Sequence, residues 1–347
     1  MRIKGLLAVL CTAVLAFAVA LPAAMNDSAN AEDKVYKWKI QSHWPASSSS
    51  YEDSLKKVAE ELKEKTDGRL ILEPYPAGSL VPAKETFSAV KRGMIEGGTI
   101  SPGYVRNEIP VAGVASGLPY AFKNVWEVAY FHKWMGLEKM LREQAAEHGV
   151  YWSTDKVYPT ELVLTKPVTT REDFKGLKLR SSGILQKFLT KLGAAASYLP
   201  GSEVYPALSS GVVDGAHWGA AQGAYSMNLY EVCKYHLLPP LNIAGTDVWI
   251  FNQDAIDKLP DEIENILKTT LETHFWERTN QYQYLEAVTR AKAVKEKGVE
   301  VVHVPPEEQK EIREVAMEMW ENEAERNPES KKAVDMAKEY LKSLGNL

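Results

Sequence analysis

The sequence predicts an α/β protein built as two facing lobes joined by one long helix. Three observations lead there. Short apolar strands alternate with amphipathic helices from Val35 to about Ser101, and a second set of such units starts near Tyr158. An unbroken helical pattern then runs from Pro260 to about Lys297. The first set has the order β-α-β-α-β, which predicts a mostly parallel sheet with ligand loops at the strand ends.

Val35–His43 alternates in character and reads as the first strand. A helix follows from about Tyr51 to Thr66: Ser50 with Asp53 offers a capping pair, Leu55, Val58 and Leu62 form one stripe, and Gly68 ends it. Arg69–Pro74 is a strand, Ala83–Gly93 a helix, and Ile95–Ser101 a strand closing in Ser101-Pro102-Gly103. In the second set, Glu161–Thr165, Leu177–Arg180, Val213–Trp218, Tyr235–Leu238 and Thr246–Asn252 read as strands, with Ala195–Leu199 extended. Leu185–Leu192 and Val204–Ser210 are the helices between them. The long helix, at 1.5 Å per residue, would reach roughly 50 Å, enough to cross both lobes. A weaker apolar stripe at Thr279–Gln283 marks a candidate break. Strand Val299–Val304 and helices Glu307–Arg326 and Ser330–Leu344 complete the chain. The expected division is residues 32–158 plus about 247–290 in lobe I, and 159–246 plus about 291–347 in lobe II.

Residues 1–31 read as a secretory signal. Arg2 and Lys4 precede an apolar run to about Ala24, and Ala29-Asn30-Ala31 is a small-x-small cleavage site. An uncleaved anchor is the competing reading, because the run is about 20 residues long. Without this segment the chain carries 39 basic and 45 acidic residues, which predicts no nucleic-acid partner. Only Cys233 remains, so no internal disulfide or cysteine-based metal site is expected. No later segment is apolar for long enough to span a bilayer, so the exported chain is not expected to be membrane-embedded.

Enzyme motifs are missing: there is no G-x-S-x-G, H-E-x-x-H, G-x-x-x-x-G-K or G-x-G-x-x-G. Three segments draw attention instead. In Asp173–Ser181, Phe174 and Leu177 anchor a turn through Gly176, and the strand delivers Arg180 to its end. A guanidinium there can hold a carboxylate with two hydrogen bonds, although an ordinary salt bridge is the simpler use of a lone Arg. Gly211–Trp218 is a strand ending in the rings of His217 and Trp218. Pro76–Leu80 is a glycine turn feeding a helix start, where free N–H groups can meet an anion.

Thr66–Leu70, Tyr75–Leu80, Lys175–Arg180 and Gly211–Gly215, in this order, resemble the DctP family, the solute-binding proteins of tripartite ATP-independent periplasmic (TRAP) transporters. The resemblance implies the periplasmic-binding-protein clamshell, a location in the periplasm, TRAP membrane subunits as partners, and Arg180 as the clamp on a substrate carboxylate. Ala216-His217-Trp218 is similar to the branch that takes 2-oxo and hydroxy acids. Its members place an acidic residue before the Trp to help hold a cation, and this chain has His217. A neutral imidazole is a poor ligand for a hard cation, so no metal or other cofactor is expected.

The small residues Gly219–Ala224 suggest room beside Trp218 for a flat or bulky acid, aromatic or indole-type, stacked among Trp44, Tyr104, Tyr225 and Trp249. Asp247 or Glu161 could meet the ammonium of an amino acid, and His43 and Gln222 complete the expected ligand-binding set. The function expected is non-enzymatic capture of a small organic carboxylate (2-oxo, hydroxy or amino acid) with lobe closure. Two alternatives stay open: a secreted enzyme acting on small acids, and a ligand receptor for a membrane sensor.

Overall fold

A computed structural model describes residues 34–347; the expected signal segment lies outside the described residues. Among the described residues nine strands form one sheet: β1 (Tyr36–Gln41), β2 (Leu70–Tyr75), β3 (Gly97–Ile100), β4 (Val150–Leu164), β5 (Lys178–Arg180), β6 (Ala195–Ser197), β7 (Gly215–His217), β8 (Tyr235–Asn252) and β9 (Glu300–His303). Their order is β2-β1-β3-β8-β4-β7-β5-β6, with β9 against β8.

The long strands β4 and β8 pair antiparallel over most of their length and belong to both lobes. The sheet is therefore mixed, and the expectation of a mostly parallel sheet holds only for its flanks: β1 with β2 and β3, β5 with β6 and β7, and β8 with β9. Where the lobes meet, the β4–β8 ladder shifts register between Thr154 and Leu162. Such irregularities bend a strand and re-aim its side chains.

Apolar side chains cover both faces of each half of the sheet. In the first lobe, Val248 and Ile250 of β8 point to a core containing Trp152 and Phe131. Trp249 and Phe251, of opposite parity, join Leu55, Val58 and Leu62 on the other face. The second lobe divides the same way, with Leu162, Leu164 and Phe188 on one face and Val163, Val204 and Ala224 on the other.

Asp261–Lys297 is one continuous helix of 37 residues, without a break at Thr279–Gln283. It leaves the first lobe's core at Leu267 and Leu271 and reaches the second at Ala293. A second helix, Pro306–Ala324, also crosses: Ile312 and Val315 pack in the second lobe, Trp320 and Ala324 in the first. The last helix, Pro328–Ser343, packs through Val334, Ala337 and Leu341 against the first lobe's core. The sequence had grouped it with the second lobe, and the crossing helix before it is what carries the chain back.

Two local expectations fail. Ser50 makes no side-chain cap to the helix after it, which opens with a π-helical turn, Tyr51–Lys56, before Lys57–Lys65. Asp53 instead accepts from Gln222 Nε2 at 3.2 Å and faces Arg278 Nη2 at 3.3 Å. At Pro76–Leu80 most N–H groups are already used: Gln41 Oε1 accepts from Leu80 and Val81 at 2.7 and 2.9 Å, Ala77 donates to Trp44 O at 2.9 Å and Ser79 to Pro76 O at 3.2 Å. The turn therefore presents no row of free N–H groups to an anion.

Candidate functional site

Arg180 ends β5 between β6 and β7, opposite Ser197 and Ala216. The segments around it fix this register. Phe174 is buried in the second lobe's core, and Gly176 turns the chain with φ 76°. Asp214 accepts from Lys178 N at 2.9 Å and so holds the β7 approach against β5. Gly215 has no alternative, because a Cβ there would meet Leu164 at 2.5 Å and Val163 O at 2.7 Å.

The side chain of Arg180 is 3 % exposed. Its Nε donates to Leu199 O at 3.1 Å and Nη1 to His217 O at 2.5 Å. The guanidinium lies over the Trp218 ring, 4.9 Å from its centroid. Among the described residues no carboxylate pairs with it. Burial pulls its pKa down, opposed by Tyr104, Tyr198 and Tyr158 nearby. A buried guanidinium held only by carbonyls keeps donors aimed at a site that lacks an anion.

That site is a cavity of about 60 Å³ between the lobes. Seven of the expected residues line it: His43, Trp44, Tyr104, Arg180, His217, Trp218 and Asp247. Three do not. Trp249 is fully buried, stacked on Phe251 and donating Nε1 to Asp155 at 2.8 Å. Gln222 turns to Asp53, and Glu161 faces His236 at 2.7 Å away from the cavity. Tyr225 likewise points elsewhere, its hydroxyl on Glu296 at 2.9 Å.

Sequence reasoning missed Lys156, Tyr158 and Tyr282, which also line the cavity. Lys156 is fully buried, with Nζ 2.8 Å from Asp155 Oδ2 and 2.7 Å from Asp247 Oδ2. Asp247 Oδ1 receives His43 Nε2 at 3.0 Å and the Tyr158 hydroxyl at 3.2 Å. Asp155 is likewise saturated, by His274 at 3.1 Å, Trp249 at 2.8 Å and Ser54 at 3.1 Å. Burial alone would raise both aspartates, but Lys156 with His274 or His43 outweighs it and holds them below the usual carboxylate range. Asp247 is thus committed to Lys156 and is not free for a ligand ammonium.

His217 is half-buried, and desolvation and the charge of Arg180 bring its pKa down to about 3. Its Nδ1 lies 3.0 Å from Ser181 Oγ. That hydroxyl does not face the ligand space: Ser181 is fully buried and does not line the cavity. The run Gly219–Ala224 leaves no extra room either. A Cβ on Gly219 would sit 2.7 Å from the Tyr282 hydroxyl, and one on Gly223 2.7 Å from Trp218 O. Small residues are there because Tyr282 and Trp218 fill the space.

The sequence matches the bacterial extracellular solute-binding proteins, family 7 (DctP), over residues 41–327. A periplasmic protein of Nostoc sp. named as binding monocarboxylate 2-oxoacids is 26% identical, with 89% of this chain and 85% of the relative aligned. The C4-dicarboxylate-binding periplasmic protein of Rhodobacter capsulatus is 30% identical over 61% of this chain and 64% of its own. Among solved structures, a TRAP periplasmic solute binding protein from Pseudoalteromonas atlantica, with sodium and pyruvate, superposes with a TM-score of 0.82 at 23% identity, covering 90% of this chain and 95% of its own. A TRAP solute binding protein from Bordetella bronchiseptica, with calcium and picolinate, gives 0.83 at 20% identity, covering 90% and 94%. The two-lobed fold and the match along most of the chain agree: this protein belongs to the DctP family of TRAP solute-binding proteins.

Proposed function

We propose that the protein is a periplasmic receptor that captures a small monocarboxylate with a second oxygen at carbon 2, a 2-oxo or 2-hydroxy acid. It would deliver that ligand to the membrane subunits of a TRAP transporter. The observation that carries this reading is Arg180, a buried guanidinium without a carboxylate partner among the described residues, facing the cavity between the lobes. The ligand carboxylate supplies the missing anion.

Size narrows the class. A water-sized sphere needs about 10–15 Å³ of such space, so 60 Å³ holds roughly four to six of them. Pyruvate or lactate matches that volume, and an indole acid exceeds it. Lys156 Nζ has three donors and spends two on Asp155 and Asp247, which leaves one for the second oxygen. Two of the similar structures hold calcium or sodium together with their ligand, and such hard cations call for oxygen donors. Here the only carboxylate lining the cavity, among the described residues, is Asp247, and both its oxygens are engaged. The donor set does not fit a metal, and Lys156 provides positive charge in its place.

Stripping carried ligand by unfolding, refolding, and screening acids by thermal shift tests the reading. Short 2-oxo or 2-hydroxy acids should raise Tm and indole or phenyl acids should not. Stabilisation by the aromatic acids alone would overturn it.

A further inference from the structure

Away from the cavity, where the lobes join, β4 presents Glu161 to His236 of β8 and to Glu286 of the long helix. One donor atom from each lies within 4.8 Å of the others, and all three side chains are buried. Glu161 Oε2 and His236 Nε2 stand 2.7 Å apart, yet neither atom makes a hydrogen bond. The two residues are 3 % and 0 % exposed, so both atoms lie away from bulk water. Tyr230 Oη sits 2.7 Å from His236 Nδ1, which occupies that nitrogen and leaves Nε2 as the free one. Glu286 is aimed by two backbone donors, Ala221 N at 2.8 Å and Gln222 N at 3.0 Å.

Charge points the same way. Among the described residues, Arg290 is the cation paired with these carboxylates, 3.7 Å from Glu161 and 3.6 Å from Glu286. With both carboxylates ionised, one guanidinium leaves the cluster one positive charge short.

We propose that Glu161, His236 and Glu286 form a site for one divalent ion of the zinc class, reached through the surface groove that Glu161 and Glu286 line. The donor set of one imidazole and two carboxylates suits zinc. Bonds of about 2.0–2.2 Å place tetrahedral ligand atoms about 3.4 Å apart, within the span of 2.7 to 4.8 Å. Tyr230 and the backbone N–H groups orient the ligands from behind, as such sites require. The groove, about 510 Å³ and bordered by Pro239, Gln283, Arg290 and Gln309, gives the entry path and admits a water as fourth ligand. None of the three residues lines the Arg180 cavity, so this site is independent of the ligand read there. An ion here ties β4, β8 and the long helix together, and through Glu286 it reaches Ala221, three residues beyond Trp218.

The test is a calorimetric titration of the EDTA-treated exported chain with zinc chloride alone. One equivalent should bind, and Glu286→Gln and His236→Gln should each weaken it at least tenfold while circular dichroism shows the fold intact. Absence of binding overturns the site. So does binding unchanged in both variants, which would mean an adventitious ion on surface histidines. Should either variant fail to fold, the visible d–d absorption of Co²⁺ in the wild-type protein decides: one equivalent, displaced by zinc, supports the site, and no stoichiometric band overturns it.

Discussion

Two buried cations face the same cavity, and their surroundings differ. Lys156 is enclosed by Asp155 and Asp247, each tied to further donors. Arg180 has only two carbonyls and the faces of Trp218 and Tyr198. The first arrangement has its charge paired before any ligand arrives, with one Lys156 donor to spare. The second is completed by the ligand, and that contrast separates the group that shapes the site from the group that captures the anion.

Substitutions can break the contrast. Arg180→Ala should weaken ligand binding by about 3–5 kcal/mol, because a desolvated carboxylate loses its partner; this is at least about a hundredfold, measured by calorimetry. Its stability should fall by less than that of a variant that breaks an ion pair, since it loses two hydrogen bonds to carbonyls but no carboxylate partner. Lys156→Met should behave the opposite way in the unliganded protein, lowering stability by about 3–5 kcal/mol in denaturant melts by stranding two buried carboxylates. Equal stability losses in the two variants would erase the distinction.

Acid sharpens it further. Asp155 and Asp247 titrate lower in the folded protein than their unfolded value of about 3.9. Their contribution is present in full above that pH and is lost as pH falls through the folded values. Tm of the unliganded protein should therefore drop below about pH 4, and the drop should be smaller in Lys156→Met, whose aspartates no longer have their cation. A smaller effect is expected from Gly219→Ala. Residue 219 has φ 62° and its Cβ would press on the Tyr282 hydroxyl, so stability should fall by about 1–3 kcal/mol in the same melts.

The strand that ends in Arg180 was legible because part of what shapes it is local, Phe174 and Gly176 lying within seven positions, whereas the carbonyls that hold the guanidinium come from Leu199 and His217. Lys156 was not legible. Residues 150–164 carry an Asp-Lys pair and Pro159 in mid-strand, which hides the alternation that identifies a strand. Pro239 and Pro240 divided β8 in the same way. The cavity's key contact, His43 with Asp247, joins residues 204 positions apart, and no spacing rule reaches that far. Trp249 was misplaced by only two residues: it shares the parity of Asp247 but sits about 6.7 Å farther along the strand, under Asp155 and inside the core. Glu161 and Gln222 were expected at the ligand because their neighbours in sequence lead there, but both turn away, towards His236 and Asp53.

The shared strands have a consequence for how the molecule comes apart. β4 and β8 form one hydrogen-bonded ladder through both lobes, and two helices carry side chains from one core to the other. Neither lobe can lose its sheet without stripping edges from its neighbour. The unliganded protein should melt in one calorimetric transition, with calorimetric and van't Hoff enthalpies equal, although chains of this length commonly unfold in stages. Two resolved transitions would show that the ladder yields at its register shifts and that each lobe is a separate folding unit.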